Sequence, residues 1–224
     1  MSSSFSAWKE GAFHYVPALL AALVFVYLAS RGYRVALAGV VLFGFYALFS
    51  LAFFRDPPRK IPGGANDAVA PADGKVVAIE DLDETPHYDG PCRRISIFMS
   101  PLNAHVNRAP VQGIVSKVLY KPGAYLNAMK PESSQLNESN ALWMQTGFGA
   151  VTVRQISGAV ARRIVCRAGI GDTLERGQKF GMIKLGSRTE LYLPPATEVC
   201  VKIGNSVRAG STIVAKFDEP RGAE

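Results

Sequence analysis

Near the C-terminal end of a 224-residue chain, in KFGMIKLGSRTELYLP, the tripeptide Leu185-Gly186-Ser187 separates two apolar, strand-like runs. A Gly-Ser bond on a tight turn can be cut by its own serine. Gly186 has no Cβ, so it reaches backbone conformations closed to other residues and lets a hydroxyl approach its carbonyl. Attack by Ser187 Oγ on that carbonyl carbon turns the amide into an ester. β-Elimination then leaves dehydroalanine, which hydrolyses to a pyruvoyl group and ammonia. The new carbonyl is an electron sink made from the chain itself. Taken alone, the tripeptide reads as an ordinary hairpin turn.

Three further side chains can do chemistry. His105, in NAHVNRAP, follows an apolar strand, and its unperturbed pKa of about 6.5 suits proton transfer near neutrality. A lone histidine is more often structural than catalytic. Asp73 lies in the turn Pro71-Ala72-Asp73-Gly74, where an aspartate ordinarily serves the backbone through an Asx-turn. Glu138, in LNESN, reads as a solvated charge unless its loop is functional. The remaining histidines, His14 and His87, are too few and too scattered for a zinc site, and no metal is expected. Cys92, Cys166 and Cys200 are odd in number and lack CxxC spacing, which reads as thiols in a reducing compartment rather than a disulfide framework.

The elements that must position these groups fall into two parts. Val35 to Phe54 carries no charge and is about 20 residues long, the length of a membrane-spanning helix. Ala12 to Ser30 is also uncharged, and only Arg31-Gly32-Tyr33-Arg34 separates the two runs. The expectation is a helical hairpin over residues 1–56. The competing reading is one span preceded by an interfacial helix. A cleaved signal peptide does not fit, because no small-residue cleavage site follows the first run. The Arg and Lys residues after the second run, with the thiols, point to a cytoplasmic domain on a cell membrane.

Prolines and glycines in FRDPPRKIPGG end the helical pattern. Residues 57–224 then alternate short β-branched runs with Gly and Pro turns, which predicts an antiparallel β-rich domain, mainly β within an α+β chain. From about Gly158 the order of strands and turns predicts a lipoyl- or biotinyl-like barrel at the C-terminal end. Two of its phrases, GDTLERGQ and GNSVRAGS, resemble each other as an internal pseudo-repeat. LNAMKPESSQLNESN reads as a long loop with a short helix, and loops of that length are often functional. The formal net charge of +7 fits an anionic lipid surface. Scattered Lys and Arg without a recognition motif argue against nucleic acid.

Five motifs in fixed order sharpen the reading: PADG at 71–74, SPLNAHVNRAPVQG at 100–113, YKPG at 120–123, LNESN at 136–140 and KLGS at 184–187. Together with FRDPPR, their order and spacing resemble the phosphatidylserine decarboxylase proenzymes, in particular the small membrane-anchored type. The resemblance covers essentially the whole soluble domain. It implies self-cleavage between Gly186 and Ser187 into a large and a small chain that stay associated. Ser187 would become a covalent pyruvoyl cofactor, and the substrate would be an anionic phospholipid, phosphatidylserine.

The same resemblance places Asp73 in the self-cleavage apparatus, His105 at the decarboxylation centre and the Glu138 loop near the substrate. The chain departs from the pattern once: larger family members carry a second histidine where this chain has Arg108, and arginine is a poor general base. His105 could then perform both tasks, or Asp73 or a water could act on Ser187, with Arg108 binding the substrate phosphate or carboxylate. Two other classes compete. One is a membrane-anchored lipoyl-like adaptor modified at Lys184; the other is a membrane serine hydrolase, for which Ser187 lacks the GxSxG context. Assembly into a homo-oligomer is left open.

Overall fold

The computed structural model describes residues 5–159, 163–184 and 186–218. The chain divides at Pro57/Pro58 into two compact units. In the first, α1 (Ala7–Ser30) and α2 (Ala36–Phe53) are long and apolar enough to cross a membrane, with mean hydropathy of 1.9 and 2.2. They fold back on each other as a hairpin. The Phe25 and Phe43 rings stack at 5.4 Å, and Gly39 has no Cβ because the Phe25 ring occupies its place.

The second unit is β-rich. In chain order it contains β1 (Asp67–Val69), β2 (Gly74–Leu82), β3 (Cys92–Met99), β4 (Val106–Arg108), β5 (Gly113–Lys121), α3 (Ser133–Leu136), β6 (Ser139–Thr146) and β7 (Gly149–Ile156). It continues with β8 (Ile164–Cys166), β9 (Thr173–Leu174), β10 (Lys179–Ile183), β11 (Ser187–Leu193), β12 (Glu198–Val199), β13 (Ser206–Val207) and β14 (Ile213–Lys216). An eight-stranded sheet runs β13-β2-β3-β11-β7-β6-β5-β9. Two three-stranded sheets run β1-β14-β12 and β4-β10-β8. One face of the large sheet, with Ile95, Ile97, Leu142, Val153 and Leu191, buries its apolar side chains against Ala68, Val214, Phe180 and Ile183 of the small sheets.

The strands after Gly158, where a lipoyl- or biotinyl-like barrel is expected, make two pairings among themselves, β8 with β10 and β12 with β14, and otherwise join strands from earlier in the chain. β9 pairs with β5, β10 with β4, β13 with β2, β14 with β1, and β11 lies between β3 and β7. Their partners are distant in sequence, so local alternation could not reveal them.

The pseudo-repeat of the two turn phrases extends through the whole domain. Gly171 and Gly204 open the two phrases at φ +89° and +95°, and Gly177 and Gly210 close them at +80° and +71°. Gly171 N–H donates to Val115 O and Gly204 N–H to Val76 O, both at 2.8 Å. A bulge follows Val76 in β2 and Val115 in β5. The halves also cross reciprocally: Val69 N–H donates to Pro110 O at 2.9 Å, and Arg108 N–H to Pro71 O at 3.0 Å. Residues 106–183 thus repeat the structure built by 67–99 together with 187–216.

The repeated unit is inserted between β3 and β11. In the inserted unit the pair Thr146 and Gly149 closes a tight hairpin. In the other, the equivalent pair is Met99 and Ser187, and the whole inserted unit stands where the turn would be. Gly186-Ser187 is the joint at which the chain returns.

Candidate active site

Gly186 adopts φ +64°, a left-handed conformation that glycine takes without the steric cost of a Cβ. Its carbonyl oxygen is crowded: a Cβ on Gly158 would sit 1.8 Å from Gly186 O and 3.3 Å from Ala128 Cβ. Only a glycine at 158 leaves room for that carbonyl. Leu185, the first residue of the tripeptide, lies outside the described residues. Ser187 begins β11 and is fully buried. Its Oγ donates to Met99 Sδ at 3.3 Å, its partner in the β11–β3 register.

Alternation along β11 puts Thr189 on the same face as Ser187. From Thr189 a buried polar chain runs inward. Asn107 Nδ2 donates to Thr189 Oγ1 at 3.2 Å, Gln155 Nε2 donates to Asn107 Oδ1 at 2.9 Å, and Asn140 Nδ2 donates to Gln155 Oε1 at 3.1 Å. Asn107 Nδ2 also reaches Pro71 O at 3.4 Å. One asparagine therefore ties together the PADG turn, the histidine-bearing segment and the strand that starts at Ser187. Sequence reasoning missed Asn107, Gln155 and Thr189. The available signal was the two-residue spacing that places Asn107 on the face of His105 and Thr189 on that of Ser187.

His105 is fully buried. Its Nδ1 lies 2.9 Å from the Asn103 carbonyl oxygen. A carbonyl only accepts, so the hydrogen is on Nδ1 and Nε2 is the basic nitrogen of the ring. Arg108, three residues on, takes the other side of the strand. It is buried, donates from Nη1 to Gly177 O at 3.0 Å, and its Cδ packs against Gly210. The Arg108 head points into a repeat turn.

Asp73 is held by two donors. Arg59 Nη2 lies 2.8 Å from its Oδ2, and Ala209 N–H donates to its Oδ1 at 2.7 Å. Ala209 adjoins Gly210, so Asp73 and the Arg108 side chain touch the same turn. Glu138 is buried, and its Oε1 accepts from the Tyr120 hydroxyl at 3.0 Å. Its Oε2 is buried with no hydrogen-bond partner among the described residues. Gly123 packs directly on the Leu136–Glu138 backbone, which joins the YKPG and LNESN motifs. Ser157 N–H donates to Glu138 O at 2.9 Å, one residue before the glycine that crowds Gly186 O.

The opposite face of the sheet holds a charged cluster under β11. Glu190 accepts from the Tyr192 hydroxyl at 2.6 Å and Ser134 Oγ at 2.8 Å, and pairs with Arg154 at 3.4 Å. Burial opposes ionisation of Glu190, but Arg154, the Tyr192 hydroxyl, Arg94 and Arg188 outweigh it and hold the carboxyl below its ordinary value. A cavity of about 430 Å³ opens beside this cluster, lined by His87, Arg94, Lys121, Ser134 and Arg154. Ser187 does not line it. No group of His, Cys, Asp and Glu placed to hold a metal occurs among the described residues.

The family model described as phosphatidylserine decarboxylase matches residues 46–215. The phosphatidylserine decarboxylase proenzyme of Burkholderia pseudomallei is 49% identical over 173 residues, covering 77% of this chain and 80% of its own length. Those of Nitrosomonas eutropha and Nitrosomonas europaea are 48% identical over 172 residues and 47% over 176, with 76% and 78% of this chain covered and 79% and 81% of their own.

Proposed function

The chain belongs to the phosphatidylserine decarboxylase family, and from that membership we propose that it cleaves itself between Gly186 and Ser187 and then converts phosphatidylserine to phosphatidylethanolamine. The observation that carries the proposal is the conformation of the joint. A left-handed glycine is followed by a buried serine at the one place where the duplicated fold replaces a hairpin turn by a long insertion. Cutting there removes a connection, while β11 keeps β3 on one edge and β7 on the other. The large and small chains accordingly remain one domain.

In maturation, Ser187 Oγ attacks the Gly186 carbonyl carbon, the C–N bond breaks, and the nitrogen of residue 187 is released as an amine while the chain is held as an ester. Removal of the Ser187 Cα proton expels the Gly186 carboxylate, which becomes the new C-terminus. The resulting dehydroalanine hydrolyses with loss of ammonia. Met99 Sδ is too weak a base to take the serine proton. His105, with a basic Nε2, is the proton carrier assigned here to both maturation and turnover.

The residues present fit a pyruvoyl group. Ser187 supplies its carbon skeleton, and full burial keeps water from a reactive carbonyl. When formed, that group supplies the electron sink for loss of CO₂. The chain's own part is to bind, orient and move protons. Glu138 Oε2, a buried carboxylate oxygen with no donor among the described residues, matches the substrate's ammonium. Asp73 and Arg108 brace the repeat turn at 209–210. The apolar helices anchor the domain to a cell membrane, on the cytoplasmic side, where the free thiols stay reduced.

A denaturing gel of the purified full chain, run beside a phosphatidylserine turnover assay, tests the proposal. Two fragments with conversion to phosphatidylethanolamine are expected. One uncut, fully active chain refutes the maturation step, and cut protein without turnover refutes the activity. A buried Ser187 whose partner is a thioether gives no support to a serine hydrolase.

A further inference from the structure

The connection between β5 and β6 buries Ser133, Ser134 and Asn137 and turns its large apolar groups outward. Asn137 Nδ2 donates to Leu126 O and to Ser157 O, both at 2.8 Å, and Leu126 N–H returns a bond to Asn137 Oδ1 at 2.8 Å. Ser133 Oγ donates to Lys130 O at 2.6 Å. The loop is thereby held in one shape. Its outer side nevertheless presents Tyr125 at 41% exposure, Leu126 at 36%, Met129 at 62% and Leu136 at 55%, and Tyr120, at the end of β5, is 56% exposed. Single exposed apolar residues need no explanation, whereas four on one fixed loop do. Lys130 is exposed among them, against one acid, Glu132, and Lys121 is exposed at the end of β5, where it also borders the His87 cavity.

Tyrosines, aliphatic side chains and lysines on one surface form the composition that settles at the boundary between lipid headgroups and acyl chains. The two apolar helices tether this domain to a bilayer, and a net charge of +7 complements an anionic one. The inner side of the same loop reaches the joint: Ala128 packs on Gly158, whose backbone lies against Gly186 O.

We propose that residues 120–136 dock on an anionic phospholipid surface, with Tyr125, Leu126, Met129 and Leu136 entering the headgroup–acyl boundary, and so roof the site at residues 186–187 with lipid on their outer side. Phosphatidylserine then reaches residue 187 along this loop without leaving the bilayer. The docking stands on the loop alone; the delivery of substrate rests on the function proposed above.

The full-length protein is reconstituted in phosphatidylcholine vesicles with or without phosphatidylglycerol, using acyl chains brominated near the headgroup. In Met129→Trp, the emission in excess of the parent protein is expected to be blue-shifted and quenched, more strongly with phosphatidylglycerol. Lys121→Glu with Lys130→Glu in that background should remove the phosphatidylglycerol increment. Unquenched emission at the wavelength of a water-exposed indole in both vesicles overturns the docking. Leu126→Ser with Met129→Ser should still cut itself. Its kcat/KM for bilayer phosphatidylserine, relative to that for a short-chain monomeric phosphatidylserine, should fall about tenfold, as expected on withdrawing large apolar side chains from the interface. An unchanged ratio overturns the delivery role. If the parent turns over neither substrate, the proposed function fails, and the quenching still decides the docking.

Discussion

Ser187 Oγ donates to Met99 Sδ across the first rung of the β11–β3 pairing, at 3.3 Å. A thioether is a weak acceptor and takes no proton at neutral pH, so this contact parks the hydroxyl without activating it. Met99→Leu should therefore cleave to the same extent as the parent. Met99→Ala opens a cavity in the buried face and should cost about 2–5 kcal/mol in stability. A time course of cleavage on gels, with melting curves, checks both. Loss of cleavage in a stably folded Met99→Leu protein would show that the sulfur takes part in the chemistry.

Ser187→Ala should be neither cut nor active, since no other side chain supplies the pyruvoyl carbons. Gly186→Ala meets no steric neighbour but must hold φ +64°, at a cost of about 1–2 kcal/mol for a residue with a Cβ. It should cut several-fold more slowly and still finish. Cut protein from Ser187→Ala, seen by N-terminal sequencing, would move the site elsewhere.

His105→Ala should slow both self-cleavage and turnover, each by about a hundredfold or more, the usual contribution of a proton-transfer group. Arg108→Ala should act differently, because its guanidinium braces the Gly177 turn. It should lower the melting temperature and leave kcat largely intact once the chain is cut. Normal maturation of His105→Ala would hand the first proton transfer to a water or to Asp73.

The charged cluster predicts an acid-sensitive fold. Burial, then the positive charge of Arg154, lowers the pKa of His87 to about 4. Between that value and 6.5 the unfolded chain binds a proton that the folded one refuses. Stability is thus full above pH 6.5 and falls as the pH drops toward 4. Glu190, held below its ordinary value, acts in the same direction at lower pH. Melting temperature followed from pH 7 to 4 should fall, and His87→Phe should flatten the upper part of that fall. The slope from this half-buried ring should stay under about 1.4 kcal/mol per pH unit. Equal slopes for the parent and His87→Phe would remove His87 from the account.

Much of the architecture was legible locally. The uncharged runs on either side of Arg31–Arg34 announce α1 and α2, and the matching phrases at 171–178 and 204–211 announce two turns that the fold builds alike. Their partners were not legible. β11 finds β3 and β7 through register over distances that alternation does not encode, and so the duplicated, inserted topology emerges only in three dimensions. The polar chain from Asn140 to Thr189 was hidden for another reason. Asn, Gln and Thr in strands read as solvent-facing, and here they are buried because they satisfy one another. Asp73 was visible as a turn residue, but its donors at Arg59 and Ala209 were not.

In the mature protein residue 187 is no longer serine. The test is the intact mass of each chain of the purified full-length protein, taken under denaturing conditions after the two have co-eluted natively. A large chain ending at Gly186 is expected, with a small chain about 17 Da lighter than one beginning with serine, the loss of one ammonia in making a pyruvoyl end. A fully active preparation whose small chain begins with free serine, or whose chain is uncut, would contradict it.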